Sequence, residues 1–163
     1  MRVILACESF GIVLSICGIT FLHAAALPPG TREALAQVET GATRATRCAG
    51  DLAVGSHKEI SRFQILPSVW REYSRSQNFQ DPNAAWVVTE KILSDREMEF
   101  RRATGREWDA MDLYLMWNAP GVYRRAKWDR TRISRVVIER AKRYESVARE
   151  HAKPESGPLL ARN

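Results

Sequence analysis

One glutamate near the end of a predicted helix, Glu39, is the residue best placed for acid–base chemistry. It follows Leu35 and Val38, which share one face of a helix predicted over residues 31–38, and Gly41 stops that helix. A carboxylic acid donates a proton near neutral pH when burial among apolar groups raises its pKa, and a core helix ending at a cleft provides such burial. Taken alone, the local sequence favours a solvated glutamate at a helix end.

Two downstream segments give Glu39 a context. Residues 61–70 read Ser-Arg-Phe-Gln-Ile-Leu-Pro-Ser-Val-Trp, and residues 117–121 read Trp-Asn-Ala-Pro-Gly. Together with the Glu-Thr-Gly that begins at Glu39, their order resembles the lysozyme-like lytic transglycosylases, whose pattern is Glu-Ser-Gly, then Gly-Leu-Met-Gln-Ile, then Tyr-Asn-Ala-Gly. The resemblance spans residues 35–121. The forms of the motifs in this chain resemble a divergent branch of the family.

The resemblance implies cleavage of the β-1,4 bond between N-acetylmuramic acid and N-acetylglucosamine in peptidoglycan. Glu39 falls on the family's catalytic acid, which protonates the leaving oxygen and then acts as base while the muramyl 6-hydroxyl closes a 1,6-anhydro ring. Gln64 and Asn118 are expected to hold the sugar, with Phe63 or Trp117 lining the cleft. The implied fold is a lysozyme-like α+β domain, predominantly helical with a small β element.

Several positions depart from the family pattern, among them Pro120, which shifts the glycine of the last motif to Gly121. Trp117 replaces a tyrosine whose hydroxyl lies near the acid, so that hydrogen bond is lost unless Tyr114, one turn earlier, supplies it. Trp117 itself either stacks on a sugar ring or packs in the core. Ser61 replaces a glycine that lets the glycan approach the backbone. These departures leave open a non-catalytic wall-binding or assembly protein on the same scaffold.

Glu59 is the second carboxylate of interest, because it lies next to the segment that carries Gln64. An inverting hydrolase needs a second carboxylate ~6.5–9.5 Å from the first to activate water, and either Glu59 or Asp51 is available for that role. A transglycosylase needs none, because the substrate's own hydroxyl attacks. Alternatively, Glu59 has a structural role and forms an ion pair with Arg62 or another buried arginine. A lysozyme-type hydrolase therefore remains an alternative.

The composition narrows the range of partners. A formal charge of +6 favours anionic polymers, which include cell walls, nucleic acids and membrane surfaces. His57 and His151 have no cysteine or carboxylate at ligand spacing, so we expect neither a metal site nor a cofactor. Cys48 is the one cysteine outside the N-terminal segment, which excludes an intrachain disulfide in a processed chain.

Residues 1–26 are typical of a signal peptide. Arg2 supplies a positive start, residues 10–22 are almost wholly apolar, and residues 24–26 are three alanines suited to cleavage. Cleavage predicts a periplasmic or secreted protein that meets peptidoglycan strands and no nucleic acid. An uncleaved segment would act as an anchor and bring contact with the inner membrane.

The rest of the chain divides into one domain over residues 27–152 and a loose tail over residues 153–163. Apolar spacing and capping signals predict helices over residues 31–38, 67–74, 82–103, 108–116 and 132–150. Residues 60–65 alternate loosely and predict either a short strand or the lip of a small sheet. Many helices with one small β element indicate a mainly helical α+β domain.

Overall fold

Helices dominate residues 26–153, the part of the chain that the computed structural model describes. The α-helices are α1 (Thr31–Thr40), α2 (Pro67–Tyr73), α3 (Pro82–Thr104), α4 (Ala110–Asn118), α5 (Pro120–Arg125) and α6 (Arg135–His151), and short 3-10 helices span Ala49–Leu52 and Arg130–Arg132. The predominantly helical class is confirmed.

The predicted strand over residues 60–65 is not formed. Within the described range its place is taken by an isolated antiparallel bridge between Ile60 and Ile65, closed by two 2.8 Å hydrogen bonds. The predicted signal or anchor over residues 1–26 lies almost wholly outside the described residues, as does nearly all of the predicted tail. No helix in the described part is both long and apolar enough to cross a membrane.

The helix ends follow local chemistry. Asp81 accepts hydrogen bonds from the N–H groups of Asn83 and Ala84 at the start of α3, and Pro82 is its first residue. Gly41 ends α1 with φ 73°, in the left-handed region that favours glycine. Threonine is a favoured N-cap residue, so the sequence predicts Thr31 as the N-cap of α1, but this prediction is wrong. Gly30 holds that position, and the Thr31 hydroxyl donates to the carbonyl of Pro28 at 2.6 Å.

The core forms around α4, which packs against α6 and α3, while α1 also packs against α6. Leu113, Leu115 and Met116 of α4 are completely buried, as their apolar run in the sequence predicts for a central helix. Each such side chain stabilises the fold by about 1.5–3 kcal/mol on burial. Tyr114 stacks on Tyr144 of α6 with ring centroids 5.1 Å apart. This packing fixes α4 against α6, the helix on which α1 also packs.

The loop between α1 and α2 is held by a buried ion pair. Arg62 donates from Nε and Nη2 to the two carboxylate oxygens of Asp51 at 2.6 and 2.7 Å, and both side chains are at most 3% exposed. The same guanidinium donates to the carbonyls of Arg44 and Thr46. A bidentate arginine–carboxylate pair fixes geometry as well as charge. Arg62 therefore pairs with Asp51 and not with Glu59.

A second buried carboxylate, Asp112, fixes the chain on either side of α4. It accepts hydrogen bonds from Arg106, Tyr123 and Arg130. Burial raises the pKa of the Asp112 carboxyl, but these donors outweigh burial and hold that pKa below its usual value. The network ties the segment before α4 to α5 and to the turn after α5. It thereby positions the junction between α4 and α5, where the last motif of the sequence lies.

Candidate active site

A cleft of about 430 Å³ opens between the last turn of α1, the 55–69 segment and the end of α4. Its size lies within the usual range for small-ligand sites. The lining residues are Glu39, Gly55, Ser56, His57, Glu59, Gln64, Ile65, Leu66, Val69, Ile92, Arg96, Trp117, Asn118, Pro120 and Arg140. The cleft thus brings together five of the eight predicted site residues, which the sequence separates widely: Glu39, Glu59, Gln64, Trp117 and Asn118.

Glu39 lies in the last turn of α1 with its carboxyl largely withdrawn from water. Burial raises the pKa of the Glu39 carboxyl above its ordinary value, and the nearby charge of Glu59 adds to the rise. Interactions with Tyr114 and Arg140 lower that pKa but do not cancel the rise. Its Oε1 atom is buried and accepts no hydrogen bond from the described residues. This environment favours the protonated acid.

Tyr114 lies beneath Glu39 and is 2% exposed. Its hydroxyl lies close enough to the Glu39 carboxyl to lower the pKa of the acid, which favours the ionised form. Burial and the Glu39 charge together raise the pKa of Tyr114 above its ordinary value, so the phenol stays protonated and acts as donor. Tyr114 therefore supplies the hydroxyl near the acid that Trp117 cannot provide.

Glu59 faces the same cleft in a different environment. Burial raises the pKa of its carboxyl, but hydrogen bonds from the backbone of Glu59 itself and of His57 outweigh that effect and lower the pKa overall. The His57 N–H donates to Oε2 at 2.8 Å, and Nδ1 of the ring lies 3.2 Å from Oε1. The pKa of Glu59 therefore lies below that of Glu39, and between the two values Glu59 is ionised while Glu39 is protonated.

Gly55 brings the loop backbone directly against two polar side chains of the cleft. A Cβ at this position would overlap Oε2 of Glu59 and Oε1 of Gln64, so a side chain would displace both. The Gln64 amide donates to the carbonyl of Ser61 at 3.1 Å and to that of Ala53 at 3.4 Å. These contacts fix the amide in the cleft wall.

The end of α4 presents Trp117 and Asn118 to the cleft. Arg96 of α3 donates from Nη1 to the carbonyls of Met116 and Trp117, at 2.8 and 2.9 Å, and its guanidinium lies 5.2 Å from the centroid of the Trp117 ring. A cation at a helix C-terminus satisfies carbonyls that have no partner within the helix. Trp117 is only 8% exposed, so it packs in the core and still contributes to the cleft wall.

Sequence reasoning missed the two cleft arginines. Burial lowers the pKa of Arg96 to about 10, and the charge of Arg140 on α6 lowers the pKa of the Glu39 carboxyl. Both stand among many charged residues on long helices, where a single sequence gives no sign of which cation turns towards a cleft.

Ser61, Phe63 and Tyr114 do not line the cleft. Ser61 and Phe63 are 1% and 0% exposed, and the Phe63 ring packs 5.6 Å from that of Trp86. Ser61 has φ 66°, which is a left-handed conformation that favours glycine. A glycine at this position would thus serve the backbone turn, and the Ser61 hydroxyl accepts a hydrogen bond from the Phe63 N–H. Asp51, paired with Arg62, is likewise withdrawn from the cleft.

The described residues contain no group of three or more His, Cys, Asp or Glu side chains arranged to hold a metal ion. In comparisons with known proteins, no family model, no curated protein and no solved structure matches the chain significantly.

Proposed function

We propose that this protein is an exported lytic transglycosylase that cleaves the β-1,4 bond between N-acetylmuramic acid and N-acetylglucosamine in peptidoglycan. One observation carries the proposal: the largely buried carboxyl of Glu39, with its raised pKa and unpartnered Oε1, lies in a cleft lined by polar side chains. A carboxyl group in this state is suited to general acid catalysis near neutral pH.

In the proposed reaction, Glu39 gives its proton to the glycosidic oxygen as the bond to the muramyl C1 breaks. The resulting carboxylate then takes the proton of the muramyl 6-hydroxyl, whose oxygen attacks C1 and closes the 1,6-anhydro ring. That hydroxyl is already part of the substrate, so its effective concentration is high. Gln64 and Asn118 hold the sugar, Trp117 supports the wall, and Tyr114 stabilises the Glu39 carboxylate formed midway.

We also propose that the helical domain is lysozyme-like. Three features support this: the acid at the end of a helix, the reversal around Ile60 and Ile65 with Gln64 in the same cleft, and a central helix ending in Trp117-Asn118. The isolated bridge would then stand where such a domain has its small β element. The N-terminal segment, if cleaved, would place the protein in the periplasm or outside the cell.

The decisive experiment uses Glu39→Gln with purified sacculi and mass spectrometry of the released fragments. The amide keeps the shape of the side chain and cannot donate an acidic proton, so release should fall by at least ~10²-fold. Glu90→Gln on α3 is the matched control, because Glu90 is exposed and outside the cleft. Near-wild-type release by Glu39→Gln would exclude Glu39 as the acid. Sacculus binding by wild type without any release would indicate a non-catalytic wall-binding protein.

A lysozyme-type hydrolase is the second candidate, and the ionised carboxylate of Glu59 in the same cleft favours it. The two reactions leave different products: hydrolysis gives a reducing end, and transglycosylation an anhydro end. We expect anhydro products from wild type and from Glu59→Gln, with a moderate loss of rate in the variant. A folded Glu59→Gln protein as inactive as Glu39→Gln, with reducing-end products from wild type, would establish the hydrolase instead.

A further inference from the structure

A basic face of α6 continues the cleft outwards. Arg140 lines the cleft and also a shallow surface depression of about 440 Å³. The other residues of the depression are Arg135, Val136, Glu139 and Arg143, all on α6. Because Arg140 belongs to both surfaces, a ligand that leaves the cleft at this side passes directly onto the depression.

The arginines of this face carry charge that the described part of the chain does not neutralise. Arg135, Arg140 and Arg143 are exposed and form no ion pair within residues 26–153, whereas Glu139, the one acidic residue of the depression, is paired with Lys142 at 3.1 Å. Arg140 and Arg143 also lie close enough to Tyr114, the neighbour of Glu39, for their charges to lower the pKa of its phenol. The face is therefore strongly positive and adjoins the reacting groups.

We propose that this α6 face binds the acidic peptide side chain that peptidoglycan carries on its muramyl sugars. The inference rests on the proposed function, because the glycan must occupy the cleft for its peptide to reach α6. Guanidinium groups bind carboxylates through paired hydrogen bonds. A shallow depression suits an extended peptide rather than a sugar ring, and Val136, which is 69% exposed, offers an apolar contact for small side chains. The enzyme would thus prefer strands that retain their peptides.

Binding to the inactive Glu39→Gln protein tests this without turnover. Titration calorimetry should compare three ligands of equal sugar length: a glycan with its acidic peptides, the same glycan with peptides removed, and a neutral chitin oligosaccharide. An exposed ion pair changes affinity by about 1.4- to 5-fold, since 1.4 kcal/mol is tenfold. Adding Arg143→Gln should weaken peptide-bearing glycan about 2- to 5-fold, and Arg140→Gln together with Arg143→Gln about 5- to 20-fold.

The control variant is Arg149→Gln, which removes the same charge from α6 outside the depression and should change no affinity. The preference for peptide-bearing glycan should also shrink at high salt, because exposed charges are screened. Equal losses on peptide-free glycan would overturn the inference by showing that the arginines bind the sugar's own carboxylate. Unchanged affinity for peptide-bearing glycan in the arginine variants would also overturn it, while the proposed function would stand. Failure of every glycan to bind the parent protein would contradict both the inference about α6 and the proposed function.

Discussion

Glu39→Gln should make the protein more stable while it abolishes activity. In the wild type, the carboxyl carries a buried oxygen without a hydrogen-bond partner, at the last turn of α1, where the helix dipole disfavours negative charge. A buried unsatisfied polar group costs about 1–3 kcal/mol, and a charge near a helix C-terminus costs about 0.3–1 kcal/mol. The amide keeps the unpartnered oxygen but removes the charge. We therefore expect a gain of about 1 kcal/mol at pH 7.

The gain should depend on pH in a defined direction. The pKa of the Glu39 carboxyl is raised in the folded protein above its ordinary value of 4.5. As pH rises above 4.5, the carboxyl ionises first in the unfolded chain, so wild-type stability falls until the folded pKa is passed. Below 4.5 the wild-type residue is protonated in both states, and the charge penalty disappears. The stability difference between variant and wild type should accordingly be large at pH 7 and small at pH 4.

Urea unfolding at pH 4 and pH 7 measures this difference, with Glu90→Gln as control. A gain of 1 kcal/mol corresponds to about 4 °C in Tm for a domain of this size. Exposed substitutions usually change stability by no more than about 0.5 kcal/mol, and Glu90→Gln should stay within that range at both pH values. If Glu39→Gln behaves like the control, Glu39 is an ordinary solvated helix-end residue and the basis for general acid catalysis is lost.

Three further substitutions test the surroundings of the acid. Tyr114→Phe removes a donor that favours ionised Glu39, so the alkaline limb of the kcat/KM–pH profile should move to higher pH; an unmoved limb would contradict the contact. Asp51→Asn leaves Arg62 buried without its counter-charge and should cost about 3–5 kcal/mol in urea unfolding, and a loss below 1 kcal/mol would show that the pair does not organise the loop. Gly55→Ala should lower kcat/KM by about 10-fold or more through displaced cleft side chains, with thermal unfolding to show that the domain remains folded.

Helix bounds followed from the sequence most closely at α3, where both termini carry strong capping residues. Both ends of α3, beside Asp81 and Gly105, lie within one residue of the predicted bounds. Helix α1 continues to Thr40, two residues past its predicted end, and stops at Gly41. Helix α5 was missed because Pro120 was interpreted only as part of a motif. A proline in the first turn of a helix is itself a start signal, and this signal was present in the sequence.

Cleft residues could be predicted from the sequence where a motif identified them. They could not be predicted where left-handed backbone angles changed which side chains face the cleft. Strand-like alternation would place Ser61, Phe63 and Ile65 on one face and Gln64 on the other. Left-handed φ angles at Ser61 and Gln64 break that alternation, so that Gln64 and Ile65 both reach the cleft while Ser61 and Phe63 are buried. Alternation describes a regular strand only, and serine and glutamine give no sequence signal of a left-handed turn.

The loop that carries Glu59 and Gln64 contains strained backbone conformations, and a buried ion pair stabilises them. Lys58, Ser61 and Gln64 all have positive φ, at 65°, 66° and 53°, and each such residue costs about 1–2 kcal/mol. Conformations of this kind persist only where the surrounding structure enforces them. Arg62 stands between two of these residues, and its bidentate pair with Asp51 fixes the backbone there. A buried charge pair thus takes over the positioning that strand pairing would otherwise provide, whereas no cation of the described residues forms an ion pair with the Glu39 carboxyl in the cleft wall.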